Sequence, residues 1–167
     1  MSIFIISELE KMAEQQPITK TKEAVGVLIV CRQTNNIFLL QRSKLAGRSH
    51  QWALLSGGLE EGENPLEALG REVREEISVN PSTIDFYNIG KEVTTRNNFY
   101  YYVGFTNQEF IPKLNEENED WGWFSLDEND TEYPYYLSTA QPMMHELEVK
   151  IEQIKNKFSN GTNKSTR

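Results

Sequence analysis

Residues 23–31, EAVGVLIVC, form an almost unbroken apolar run rich in β-branched side chains, and IFLLQR follows at 37–42. Short runs of this kind read as strands covered on both faces, since a half-exposed strand would alternate apolar and polar positions. Thr34-Asn35-Asn36 between them suits a hairpin turn, because asparagine tolerates left-handed backbone angles. A short strand WALL is expected at 52–55, ended by a turn at Ser56-Gly57-Gly58. FYNIGKEVTT and NFYYYVGFT read as a second hairpin around Arg96-Asn97-Asn98, and WGWFSL as a last strand after the acidic loop NEENED at 115–120.

Helical periodicity appears in three places. Residues 3–15 read as a short amphipathic helix stopped by Pro17. Asn64 is a good N-cap, Pro65 suits the first helical position, and Glu67 completes a capping-box spacing. Leu66, Leu69, Val73 and Ile77 then form a stripe that would face a sheet, with Pro81 beyond the end. A third helix is expected from Thr139 to about Phe158, followed by a disordered tail at 159–167. With no internal repeat and no linker, the 167 residues read as one domain over 1–158. Hairpins plus two longer helices predict an α/β fold with a mixed sheet between helices.

Composition narrows the partners. The net charge of −8 argues against a nucleic-acid duplex or an anionic membrane, both of which attract positive surfaces. Cys31 is the sole cysteine and lies inside an apolar run. It reads as a core residue, and the lack of a disulfide partner suits a reducing cytoplasm. The opening MSIFIISELEKMAEQQP lacks a basic stretch, and its apolar run is too short to span a bilayer.

The sharpest chemical signal is GGLEEGENPLEALGREVREEISV, Gly57 to Val79. Glu72, Glu75 and Glu76 fall within an arc of roughly 100° on an ideal helix, where like charges at these spacings repel. Glu63 precedes the N-cap and can reach over the same surface. Four carboxylates meeting at one place would make a hard-oxygen site for Mg²⁺, with Mn²⁺ able to substitute. The alternative is a solvated helix held by i,i+4 ion pairs among Glu67, Arg71 and Glu75. That alternative leaves Gly57, Gly58 and Gly62 unexplained, since glycines let backbone approach a ligand closely.

The stretch resembles the signature of the Nudix hydrolases: glycine, five residues, glutamate, seven residues, Arg-Glu, an aliphatic, any residue, Glu-Glu, any residue, glycine, an aliphatic. Gly57, Glu63, Arg71, Glu72, Val73, Glu75, Glu76, Ile77 and Val79 supply these positions, covering about a seventh of the chain. Ser78 stands where the family has glycine, and Ser56 where a proline commonly precedes the glycine pair. The resemblance implies an α/β/α sandwich and Mg²⁺-dependent hydrolysis of the diphosphate linkage in a nucleoside diphosphate derivative. It implies that Glu72, Glu75, Glu76 and the Gly57 carbonyl hold the metal, with Glu63 beside them and Arg71 orienting the carboxylates. It also implies a general base that is either a glutamate of the box or one in a downstream loop, where Glu117 is the candidate, with Glu116 next.

Arg42, Lys44, Arg48 and His50 bring positive charge upstream of the box; Arg42 and Arg48 are the candidate phosphate contacts. Phe99, Tyr100, Tyr101, Tyr102, Trp121 and Trp123 could stack on a base, although an aromatic run on a strand more often packs a core. Marks of the narrower subfamilies are missing, which leaves nucleoside triphosphates, normal or oxidised, ahead of ADP-ribose and nucleotide sugars. A Nudix-like module that binds nucleotide without cleaving it is the rival reading. A small-molecule nucleotide is thus the expected partner, and a homodimer is compatible with the sequence.

Overall fold

The structure, a computed structural model, describes residues 21–95 and 97–125. The expected helices at 3–15 and 139–158 and the tail at 159–167 lie outside the described residues.

Seven strands form one mixed sheet among the described residues: β1 (Lys22–Cys31), β2 (Ile37–Arg42), β3 (Trp52–Ala53), β4 (Leu55–Gly58), β5 (Asp85–Val93), β6 (Asn97–Thr106) and β7 (Asn118–Phe124). Among the same described residues one helix, α1 (Pro65–Ile77), joins them, with one 3₁₀ turn at Pro81–Thr83. β1 is the axis. It pairs in parallel with β6 along its whole length, while β4 takes the near half of its other edge and β2 the far half, both antiparallel. The β1–β6 pairing makes the sheet mixed, as the run of buried residues on β1 foretold.

Alternation along the strands sorts the core into two sets. Val25, Val27, Ile29, Phe38, Leu40 and Leu55 face α1 and pack with its Ala68, Leu69, Val73 and Ile77. Leu28, Val30, Ile37, Leu39, Val103 and Phe105 point to the other side. Cys31 is fully buried, consistent with a core role.

α1 starts as its punctuation requires. The Asn64 side chain accepts from the backbone N–H of Leu66 and Glu67, each at 3.0 Å, and Glu67 accepts from the Asn64 N–H at 2.9 Å. Leu66 corrects the expected stripe: it is half exposed. It shares the stripe's angle but lies in the first turn, ahead of the buried run from Ala68 to Ile77. The expected strand WALL is also corrected, since pairing breaks at Leu54 and resumes from Leu55 through Ser56, Gly57 and Gly58. The glycine pair therefore belongs to a ladder with β1, opposite Val25 and Ala24. The last strand begins earlier than expected, at Asn118 inside the acidic stretch.

Candidate functional site

α1 carries its carboxylates to the edge of the core, where Glu72 is 9 % and Glu76 6 % exposed. Arg71 is the centre of the cluster. Its Nε and Nη2 grip both oxygens of Glu63 at 2.9 and 3.0 Å, and Nη2 also donates to the Gly58 carbonyl at 2.7 Å. Nη1 donates to Glu72 at 2.8 Å and to Glu75 at 3.1 Å. The planar fork of arginine suits this many-sided role, which a lysine could not fill. Three of the four expected carboxylates thus meet on one guanidinium, and the like-charge repulsion along the helix is offset there. Of the simpler ion-pair alternative, the Arg71–Glu75 pair forms, whereas Glu67 is spent on the cap.

Glu76 turns away from Arg71. Its Oε2 accepts from the Asn118 side-chain amide at 2.9 Å, and its backbone carbonyl accepts from the Asn115 N–H at 3.2 Å. The Lys113 N–H similarly caps the Ile77 carbonyl, so the end of α1 is closed by the 113–118 loop. Ser43 holds the same loop from the other side, its N–H donating to the Glu117 carbonyl at 2.8 Å and its hydroxyl to the Glu116 carbonyl at 2.6 Å. Glu117 is thereby presented close enough to Glu72 and Glu76 for its charge to act on both.

These environments split the carboxylates. Burial pushes Glu76 up to about 7, opposed by the Asn118 hydrogen bond. Burial also raises Glu72, against the pull of Arg71. Glu63 is lowered, chiefly by its hydrogen bond from Arg71 and then by the Glu60 N–H. A carboxylate whose charge is penalised by burial gains most from a nearby cation.

The donor types are those of a hard-ion site, but among the described residues no three carboxylates stand together as a metal-binding group, because Glu63, Glu72 and Glu75 are drawn to Arg71 and Glu76 to Asn118. A β-carbon on residue 57 would overlap the Glu72 carboxylate, so a glycine is required where that carboxylate meets the β4 backbone. Carboxylate and backbone carbonyl oxygens are the donors that Mg²⁺ and Mn²⁺ prefer.

Arg42 and Arg48 separate. Arg42 is paired with Asn118 across β2 and β7, donates from Nε to the Gly47 carbonyl at 2.6 Å, and its charge reaches Glu76. Arg48 lies exposed on the 43–50 loop at φ 60°, and no hydrogen bond or ion pair ties its side chain to a described residue. His50, on that loop, pairs with Glu119 of β7. The aromatics mostly pack: Phe38, Phe110 and Trp123 form a cluster joined by Trp121, and the Tyr100 and Tyr101 hydroxyls donate to Glu23 and Glu92. Asn118, Asn115 and Ser43 were not singled out beforehand. Their only trace in the sequence is two asparagines flanking Glu116 and Glu117 in NEENED, and a serine ending LLQRS.

The NUDIX domain profile matches residues 20–147, most of the chain. The chain belongs to the Nudix family. Among curated relatives, it is 25 % identical to an RNA pyrophosphohydrolase of Pseudoalteromonas translucida over 105 residues, covering 58 % of each protein. It is 35 % identical to an 8-oxo-dGTP diphosphatase of Proteus vulgaris over 60 residues, covering 36 % of this chain and 54 % of that one. The matches span little more than half the length of these relatives. The fold matches the NUDIX domain of Shewanella oneidensis NrtR, crystallised with ADP ribose, with a TM-score of 0.62 at 18 % identity, covering 90 % of this chain and 98 % of that one. Among the described residues, no helix of this Nudix protein is long and apolar enough to cross a membrane.

Proposed function

We propose that this Nudix protein is a Mg²⁺-dependent pyrophosphohydrolase that cleaves the diphosphate linkage of a nucleoside diphosphate derivative, with (deoxy)nucleoside triphosphates, normal or oxidised, as the first substrates to consider. One observation carries the reading: the buried Glu72 carboxylate lies against the Gly57 backbone, in a cluster where Arg71 gathers Glu63, Glu72 and Glu75. The partial match to an 8-oxo-dGTP diphosphatase supports placing triphosphates ahead of ADP-ribose and nucleotide sugars.

Glu72, Glu75, Glu76 and the Gly57 carbonyl are the proposed metal donors. These residues would hold a divalent cation, which would supply charge to neutralise phosphoryl oxygens. Arg71 orients Glu72 and Glu75, while Glu63 fixes Arg71 in turn. Glu117, on the loop whose Glu116 and Glu117 carbonyls Ser43 holds, is the proposed base that takes a proton from the attacking water. Arg42 lies on the same side and supplies positive charge for a phosphate oxygen; the contact earlier expected of Arg48 has no such support.

The test is product release from a panel of nucleotides with Mg²⁺ and with EDTA, in wild type and Glu117→Gln. Metal-dependent turnover is expected with at least one nucleotide, and a kcat lower by roughly 10²–10⁴-fold in the variant at little changed KM. Tight nucleotide binding without cleavage anywhere in the panel would favour the non-catalytic module. Ordinary kcat in Glu117→Gln would move the base to Glu63 or Glu72.

A further inference from the structure

β7 does not run in even register against β2. Gln41 faces Asp120 and Arg42 faces Asn118, so one extra residue, Glu119, is inserted in β7. The neighbouring pairs Phe38–Trp123 and Leu40–Trp121 put Trp121 and Trp123 on the side of the sheet that α1 covers. Without the insertion, strict alternation would turn residue 118 to the opposite side. The bulge brings Asn118 back to the α1 side, where it is only 8 % exposed and donates to Glu76 Oε2. Bulges commonly re-aim a side chain beside a functional site.

Asn118 sits at a junction. Its Nδ2 also reaches Asn115 Oδ1 at 3.3 Å, and the Asn115 N–H donates to the Glu76 carbonyl. Glu117 precedes it directly, and the Glu117 carbonyl is fixed by Ser43. Glu76 Oε2 is occupied by this amide, and no hydrogen bond to Oε1 occurs among the described residues.

We propose that Asn118 is a positioning residue that fixes the Glu76 carboxylate and the Glu117 loop relative to each other. The inference rests on the reading of Glu76 as a metal donor and Glu117 as the base. Partners of this kind, which orient a ligand without touching the metal, typically change metal affinity 10–100-fold when removed.

The experiment is a calorimetric titration of metal-free protein with Mg²⁺ or Mn²⁺, in wild type, Asn118→Leu and Asn118→His, together with steady-state kinetics at saturating metal. Asn118→Leu keeps the branched shape and removes the donor; it should bind the cation at least tenfold more weakly and lower kcat, with the nucleotide KM little changed. Asn118→His keeps an N–H donor and should recover most of the affinity. If Asn118→Leu fails to fold, Asn118→Ala, which removes the donor without adding a charge, takes the same test with the same expected weakening. Wild-type affinity in a folded donor-less variant would overturn the role of Asn118 alone. A wild-type protein that binds no cation and hydrolyses nothing would instead overturn the functional reading beneath it.

Discussion

The Glu72 carboxylate occupies the space that a side chain on residue 57 would need. Gly57 cannot retreat easily, because it is paired with Val25 in the β1–β4 ladder. Gly57→Ala should therefore push Glu72 off the β4 backbone and lower both Mg²⁺ affinity and kcat by at least about tenfold. Gly58→Ala is the comparison, since its β-carbon would meet nothing closer than the Glu23 carbonyl at 3.8 Å. Calorimetry and kinetics on the two variants should differ clearly; equal effects would dissociate Glu72 from the glycine.

Ser78 ends α1 in the left-handed region, at φ 54° and ψ 31°. An L-residue there costs roughly 1–2 kcal/mol, part of which glycine loses again through its freer unfolded chain. Ser78→Gly should stabilise the protein by about 0.5–1 kcal/mol and raise Tm by a few degrees. A fall in Tm would show that the serine side chain contributes more than its backbone strain costs.

Glu76 links stability to pH in the metal-free protein. Its folded pKa of about 7 lies above the ordinary 4.5, so the folded state holds a proton that the unfolded state has released. The stabilisation is full below pH 4.5 and is lost as pH rises through about 7. In chelator, wild type should lose Tm across this window relative to Glu76→Gln, which holds no titrating proton there. Parallel curves for the two proteins would contradict the buried, charge-penalised Glu76.

Much of this arrangement was legible in the chain, and the parts that were not have physical reasons. The apolar runs of β1 and β2 and the Asn64–Pro65–Glu67 punctuation are local signals, and they located the strands and the start of α1 closely. The glycine pair read as a turn because glycine usually breaks a strand, yet Gly57 is paired with Val25 in β4, its missing side chain making room for the Glu72 carboxylate. Leu66 met the helical angle without meeting the sheet, since periodicity gives a direction but not where cover begins. The box glutamates could be named from spacing, but their gathering on Arg71 depends on rotamers that spacing does not encode. Asn118 was hidden because its orientation depends on a one-residue bulge between distant strands.

The central claim is that the α1 carboxylates hold a divalent cation that drives hydrolysis. The most direct measurement is the hydrolysis rate of the best nucleotide at saturating Mg²⁺ for wild type, Glu75→Gln and Glu76→Gln, each repeated in EDTA. Each substitution keeps the shape of the side chain and removes one charged donor, at a cost of several kcal/mol of transition-state stabilisation. The account predicts no turnover by wild type in EDTA, and a loss of at least about a hundredfold in each variant with Mg²⁺. Undiminished turnover in EDTA, or near wild-type rates in both variants, would contradict it and return these glutamates to the role of a salt-bridged helix face.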